Sequence, residues 1–148
     1  MNESIDLVSI ETGEFVFEAP EGYSVEVLDD QAELAGPNDE FLVVSSYSVD
    51  QDSSEQALKE FTKNVCDAML EAAAEPDLRV SGKLKQETSP SDFPVWSLLS
   101  EATDKSHFFD QYAAVQGTTS VLVTIEGNFE DRGSSALIEE AVHALEFK

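Results

Sequence analysis

The sequence predicts an α+β domain built on an antiparallel β-sheet of about five to seven strands with two main helices. Short segments in which apolar and polar residues alternate are separated by turn residues, which is typical of antiparallel strands. Two longer segments carry apolar residues at helical spacing instead. The 148 residues contain no linker that would divide them, so we expect a single domain over residues 1–148.

Short strands are predicted in the N-terminal part of the chain. Phe15 and Phe17 alternate with their neighbours at the period of a half-buried strand. Residues 41–49 are dense in β-branched and aromatic residues, which favour a strand. The predicted elements are a hairpin of residues 5–10 and 14–18, a strand at 23–28, a loop at 29–40 and a strand at 41–49.

A long helix is predicted over residues 54–74. Ser53 followed by Gln56, or Asp52 followed by Glu55, fits a capping box, and Pro76 ends the helix. Its apolar stripe consists of Leu58, Phe61, Val65, Met69 and Ala72.

A meander of strands and a closing helix are predicted for the rest of the chain. Strands are expected at residues 78–87, 93–102, 107–115 and 119–126, followed by a polar loop at 128–133. Ser134 or Ser135 is expected to cap the closing helix. Each helix has one apolar stripe, so both should pack on the sheet. The predicted shared core consists of Phe61, Val65, Val80, Val123 and Leu145.

The chain is strongly acidic. It holds 31 acidic and 8 basic residues, for a net charge of −23, and residues 1–55 contain no Lys or Arg. A nucleic-acid binder that works through phosphate neutralisation needs a basic face, so that class is excluded, and binding to an anionic membrane is disfavoured. The acid excess fits a self-repelling surface or an acidic face for a basic partner. Adaptation to high salt is disfavoured because Lys outnumbers Arg and Glu outnumbers Asp.

The N-terminus has no secretory signal, and no apolar run approaches the length of a membrane span. For a chain that is the full gene product, we therefore expect a cytoplasmic protein. Cys66 is the single cysteine, and His107 and His143 lie on different predicted elements. Because no catalytic, metal or phosphate-binding motif is present, we predict no catalytic residues, no metal ligands and no cofactor.

An apolar sheet face is the strongest candidate for a binding site. Trp96 and Leu98 have the opposite strand parity to the residues expected beneath the helices, and so has Leu122. Either another segment covers this face or it is a groove for a partner. The predicted binding residues are Trp96, Leu98, Leu122, Leu42 and Val44. The face of Phe108 and Tyr112 depends on whether the turn before Thr119 has an even or an odd number of residues.

Residues 13–23 near the start of the chain, and residues 120–126 and 144–148 near its end, resemble the PsbP-like superfamily, which includes the Ran-binding Mog proteins and the Eag-type effector chaperones of type VI secretion. Residues 13–23, Gly-Glu-Phe-Val-Phe-Glu-Ala-Pro-Glu-Gly-Tyr, resemble the opening of that family, although its aromatic residue is usually Trp and here is Tyr23. Residues 120–126 and 144–148 resemble its end. The resemblance implies a PsbP-like fold and a non-catalytic protein that binds other proteins, as the chaperones shield apolar helices on a sheet face.

These observations predict a non-catalytic protein-binding module, such as a chaperone or adaptor for a secreted bacterial effector. Its partner would be another protein, with no nucleic acid or membrane involved. The first alternative is an acidic immunity or nucleic-acid-mimic protein that blocks a basic site with its N-terminal carboxylates. The second is a carboxylate-based enzyme.

Overall fold

The computed structural model describes residues 8–11, 15–20, 22–28, 31–49 and 54–147 of the chain. The elements before the first helix are β1 (Val8–Glu11), β2 (Phe15–Ala19), β3 (Ser24–Val27), β4 (Gln31–Ala35) and β5 (Phe41–Ser48). Then follow α1 (Glu55–Ala72), β6 (Leu78–Val80), β7 (Lys85–Thr88), β8 (Pro94–Ala102), β9 (His107–Gln116) and β10 (Thr119–Asn128). A 3-10 turn (Phe129–Asp131), α2 (Ser134–His143) and β11 (Glu146–Phe147) complete the described part.

All the strand pairs of the described residues are antiparallel, which confirms the predicted α+β class. The main sheet has eight strands in the order β3-β4-β5-β10-β9-β8-β6, with β7 also paired to β8. A smaller sheet has the order β1-β2-β11. The predicted first hairpin is thus present as β1 and β2, and its turn lies outside the described residues.

The main sheet has more strands than predicted for two reasons. Residues 31–35, expected in a loop, form β4, because Ala32 and Leu34 point into the core from a segment that pairs with β5. Residues 78–87 form two short strands, β6 and β7, rather than one. Gly82 separates them with a φ of 108°, a conformation that favours glycine.

The ends of the helices differ slightly from the predicted ones. Ser54, rather than Ser53 or Asp52, caps α1, and its hydroxyl accepts a hydrogen bond from the Ala57 N–H at 3.2 Å. Residues 52 and 53 lie outside the described residues. Gly133 is the cap residue of α2, so neither Ser134 nor Ser135 fills that role.

The two helices cover opposite faces of the main sheet, so the single shared core that we predicted is wrong. Val123 and Leu145 belong to the larger core, between the sheet, α2 and β2. Val65 and Val80 instead pack in a smaller cluster beneath α1. Phe61 is buried and stacks on Tyr47, with ring centroids 5.8 Å apart. A sheet that is covered on both faces requires apolar residues of both parities, as this sequence has.

The β9–β10 turn settles the position of Phe108 and Tyr112. Two residues, Gly117 and Thr118, separate the strands, and Tyr112 pairs with Val123. An even number of turn residues places Phe108 and Tyr112 in the larger core.

Tyr23, the aromatic residue of the N-terminal motif, is a structural anchor. Its hydroxyl donates a hydrogen bond to Glu40 Oε2 at 3.2 Å, and both residues are buried. Burial and the neighbouring carboxylate raise the pKa of Tyr23, so the phenol remains a donor. Burial tends to raise the pKa of Glu40, but hydrogen bonds from Asn38, Glu40 itself, Ser134 and Tyr23 outweigh it and lower the pKa.

Replacing Tyr23 with Phe is expected to lower the free energy of unfolding by about 1.5 kcal/mol, because a hydrogen bond to a buried carboxylate is lost. A lowered carboxyl pKa stabilises the fold above the unfolded-state pKa, and this stabilisation disappears as the pH falls through the folded-state pKa. The loss should therefore be larger at pH 7 than in acid. Urea denaturation at both pH values measures it, with Tyr47→Phe as the exposed control. Equal losses for the two variants would contradict the anchoring role.

Candidate functional site

Trp96, Leu98 and Leu122 lie on one face of the main sheet, away from α2. Leu98 pairs across β8 and β9 with Gln111, and Trp96 pairs with Ala113. These side chains form the smaller cluster with Met69 of α1, and Leu98 is fully buried there. Helix α1 therefore covers most of this face. That Trp96, Leu98 and Leu122 bind a partner remains a prediction.

Leu42 and Val44 lie on the other face, so they do not share a surface with Trp96, Leu98 and Leu122 as predicted. Val44 pairs with Val123 and Leu42 with Ile125, which places both side chains in the larger core. Both are fully buried. Alternation along one strand shows only which residues of that strand share a face. Whether a residue of β5 shares a face with one of β8 depends on how the two strands between them, β10 and β9, are paired.

Gln111 fixes α1 on the sheet. This side chain is almost fully buried, and its Nε2 donates a hydrogen bond to the Met69 carbonyl oxygen of α1 at 2.8 Å. The helix packs over β8 and β9. The neighbouring strands β10 and β5 lie beyond it, so their outer face is only partly covered.

A groove of about 480 Å³ runs between α1 and this outer face. Its volume is in the range of ligand-binding pockets. None of the described residues that line it is charged, although the chain carries a charge of −23. The lining residues are Ser45, Ser46, Tyr47, Asn64, Val65, Ala68, Ser120 and Leu122.

The groove opens onto an apolar stripe along β5. Phe41, Val43, Ser45 and Tyr47 alternate along the strand, and Phe41 is 40% exposed and Tyr47 58% exposed. Leu122 and Thr124 of β10 pair with Ser45 and Val43 on the same side. We call this surface the open face; it consists of Phe41, Val43, Ser45, Tyr47, Leu122 and Thr124.

Carboxylates border the open face. Glu33 of β4 pairs with Val43, and Glu26 of β3 pairs with Glu33, so both side chains project from the same side of the sheet. Glu126 pairs with Phe41 at the far end. The described basic residues lie on other elements, from Lys59 onwards. The open face is therefore an apolar surface with an acidic border.

We did not predict Phe41, Val43 and Tyr47 as binding residues from the sequence. Placing Leu42 and Val44 on the binding surface put the opposite parity of this strand, that of Phe41 and Val43, beneath the helices. The available signal was the run of apolar residues of both parities in residues 41–47, which indicates a strand with two apolar faces.

A buried polar network lies on the opposite face, at the edge of the larger core. Arg132 donates to Asp110 Oδ1 at 3.1 Å and to Glu101 Oε1 at 3.2 Å. Burial raises the pKa of Asp110, while Ser135, Arg132 and the Ser100 N–H act in the other direction. Perturbed carboxylates can mark active sites. Here they face a fixed guanidinium rather than a cavity, and the arrangement is that of a structural ion pair.

Cys66 is unsuited to nucleophilic chemistry. The side chain is half-buried on α1, and burial, followed by the charge of Asp67, raises the pKa of the thiol. The reactive thiolate is therefore scarce at neutral pH.

Among the described residues, neither helix has the length and hydropathy that a membrane crossing requires.

No protein-family model and no curated protein matches this sequence. Solved structures do match. The solution structure of cyanobacterial PsbP (CyanoP) from Synechocystis sp. PCC 6803 superposes with a TM-score of 0.66 at 10% identity, covering 99% of this chain and 95% of that one. LpqN, a protein involved in cell envelope biogenesis of Mycobacterium tuberculosis, has a TM-score of 0.60 at 12% identity, covering 95% and 90%. The chain therefore has the α+β PsbP-like fold.

Proposed function

We propose that the chain is a non-catalytic protein-binding module whose open face takes an amphipathic helix of another protein. The observation that carries the proposal is the exposed apolar stripe of β5 beside the uncharged groove. A highly charged chain exposes such a surface at a cost in solubility, and contiguous exposed apolar patches mark interaction sites.

The length of the stripe favours a helix over a small ligand. Phe41 and Tyr47 are separated by six strand positions, which is roughly 20 Å at the usual rise per residue. A helix of about 13 residues has this length. A small molecule would fill the groove and leave Phe41 uncovered, whereas an apolar helix stripe would cover the whole open face.

The carboxylates that border the open face favour a partner helix of opposite charge. Glu26, Glu33 and Glu126 border the open face. A helix with Lys or Arg beside its apolar stripe pairs with these carboxylates, and an acidic helix is repelled by them. The partner is therefore a basic amphipathic helix. A chaperone or adaptor for a secreted effector is the more specific form of this proposal, because residues 13–23 resemble the opening of the PsbP-like superfamily, which includes such chaperones.

Site-specific cross-linking tests the proposal. Benzoylphenylalanine in place of Val43, in cells that produce the protein, should form adducts with a partner. Mass spectrometry should map these adducts to a segment with an apolar stripe flanked by Lys and Arg. Benzoylphenylalanine in place of Leu137, which is 52% exposed on α2, is the matched control. Equal adducts at both positions, adducts with acidic segments, or no adducts at position 43 would overturn the proposal.

A second candidate function follows from the charge distribution. Residues 1–55 hold fifteen acidic residues and no Lys or Arg, and such a surface suits an immunity or nucleic-acid-mimic protein that blocks a basic site. Salt separates the two functions. A complex held by acidic residues alone should weaken strongly as ionic strength rises, whereas one held mainly by the apolar stripe of the open face should weaken much less, since salt screens only its border carboxylates.

A further inference from the structure

Three side chains of the types that commonly bind metals lie close together on the side of the molecule opposite the open face. Glu139 and His143 are one turn apart on α2, and Glu87 comes from β7. One ligand atom from each of the three residues lies within 4.8 Å of the other two. His143 Nε2 is 3.6 Å from Glu87 Oε1.

We infer that Glu87, Glu139 and His143 form a binding site for a divalent transition metal of the zinc class. Zn²⁺ binds imidazole nitrogen and carboxylate oxygen at about 2.0–2.2 Å, so two ligands of a tetrahedral site are about 3.4 Å apart. The 3.6 Å separation between His143 and Glu87 is already close to this value. An imidazole ligand favours zinc over Mg²⁺ or Ca²⁺, which prefer oxygen ligands alone.

The surroundings provide space and a favourable field for a cation. A cavity of about 430 Å³ is lined by the three residues together with Pro90, Glu140 and Ala144. The site adjoins the last turn of α2, where the helix dipole favours positive charge. The carboxylates of Glu87, Glu139 and Glu140 all line this cavity, and a bound cation would offset their repulsion.

A metal at this position would join two elements that are otherwise weakly connected. Every residue of β7 is exposed, and the strand pairs only with β8 among the described strands. A metal bound by Glu87 on β7 and by two residues of α2 would tie this edge strand to the helix. Binding to the folded state alone would then raise the melting temperature.

The two histidines provide an internal control for the test. His107 begins β9, away from this cavity, so its imidazole should not respond to a metal bound at His143. One equivalent of Zn²⁺, added in excess Mg²⁺, should shift the ¹⁵N resonances of the His143 ring and leave those of His107 unchanged. Equal shifts of both rings would indicate non-specific binding to an acidic protein and would overturn the inference, as would no shift.

Two variants connect the spectroscopic result to the ligands. His143→Ala and Glu87→Gln should each reduce Zn²⁺ affinity at least tenfold in calorimetric titration, and His107→Ala should leave it unchanged. Zn²⁺ should raise the melting temperature of the native chain and of His107→Ala but not that of His143→Ala. The same zinc affinity in His143→Ala as in the native chain would contradict the site.

Discussion

Replacing Arg132 with Met is expected to lower the free energy of unfolding by about 3 kcal/mol, because it leaves the Asp110 carboxylate buried without its cationic partner. Asp110 is fully buried, and Arg132 is the basic residue in contact with it at 3.1 Å. Met retains much of the packing volume of Arg, so the change removes mainly the charge and the hydrogen bonds. Chemical denaturation at neutral pH measures the loss.

The pH dependence identifies Asp110 as the cause. A carboxyl pKa that is raised in the folded state adds stability below the unfolded-state pKa, and this contribution is lost as the pH rises through the folded-state pKa. Arg132→Met should therefore recover stability as the pH is lowered, and Asp110→Asn should partly rescue it at neutral pH. Arg79→Met is the control, since Arg79 is largely exposed. An equal loss in Arg79→Met, or no rescue by Asp110→Asn, would contradict this explanation.

Replacing Leu98 with Ala is expected to lower the free energy of unfolding by about 2–5 kcal/mol, because Leu98 is fully buried between the sheet and α1. The cavity would lie beside Met69, in the small cluster that holds the helix. Thermal and urea denaturation measure the loss. Leu98→Asp should lower the free energy of unfolding further than Leu98→Ala does, because it buries a charge without a partner.

Leu137→Ala is the matched control for Leu98→Ala, since the same side chain is truncated at a position that is 52% exposed. Its effect on the free energy of unfolding should stay within about 0.5 kcal/mol.

If Leu98→Asp folds with native stability, α1 does not pack on Leu98 in solution. Leu98 would then belong to an accessible surface, as the sequence analysis predicted.

Local patterns predicted most of the strands and both helices. The strands at residues 41–49, 93–102, 107–115 and 119–126 could be predicted because each is a run rich in β-branched and aromatic residues with turn residues between the runs. Residues 31–35 were missed because the Gln, Glu and Ala residues there have low strand propensity. Their pairing with β5, a contact with another segment, decides their conformation.

The candidate site was harder to predict because it depends on which face each helix covers. Both helices carry an apolar stripe. The stripe predicts that a helix packs on the sheet, but it does not indicate which of the two sheet faces the helix packs on. Trp96, Leu98 and Leu122 do share a face, as their parity indicates, but α1 covers much of that face. The open face remains because α1 lies over β8 and β9 and leaves Phe41 and Tyr47, on the outer face of β5, partly exposed.

Binding of a basic amphipathic helix to the open face is tested most directly by fluorescence anisotropy. The segment identified by cross-linking at position 43, made as a labelled peptide, is titrated with the native chain, Phe41→Glu and Leu137→Glu. Phe41→Glu should weaken binding at least tenfold, about 1.4 kcal/mol, because it places a charge in the apolar stripe. Leu137→Glu adds the same charge elsewhere and should leave the affinity unchanged. Equal affinity of Phe41→Glu and the native chain would show that the helix binds elsewhere.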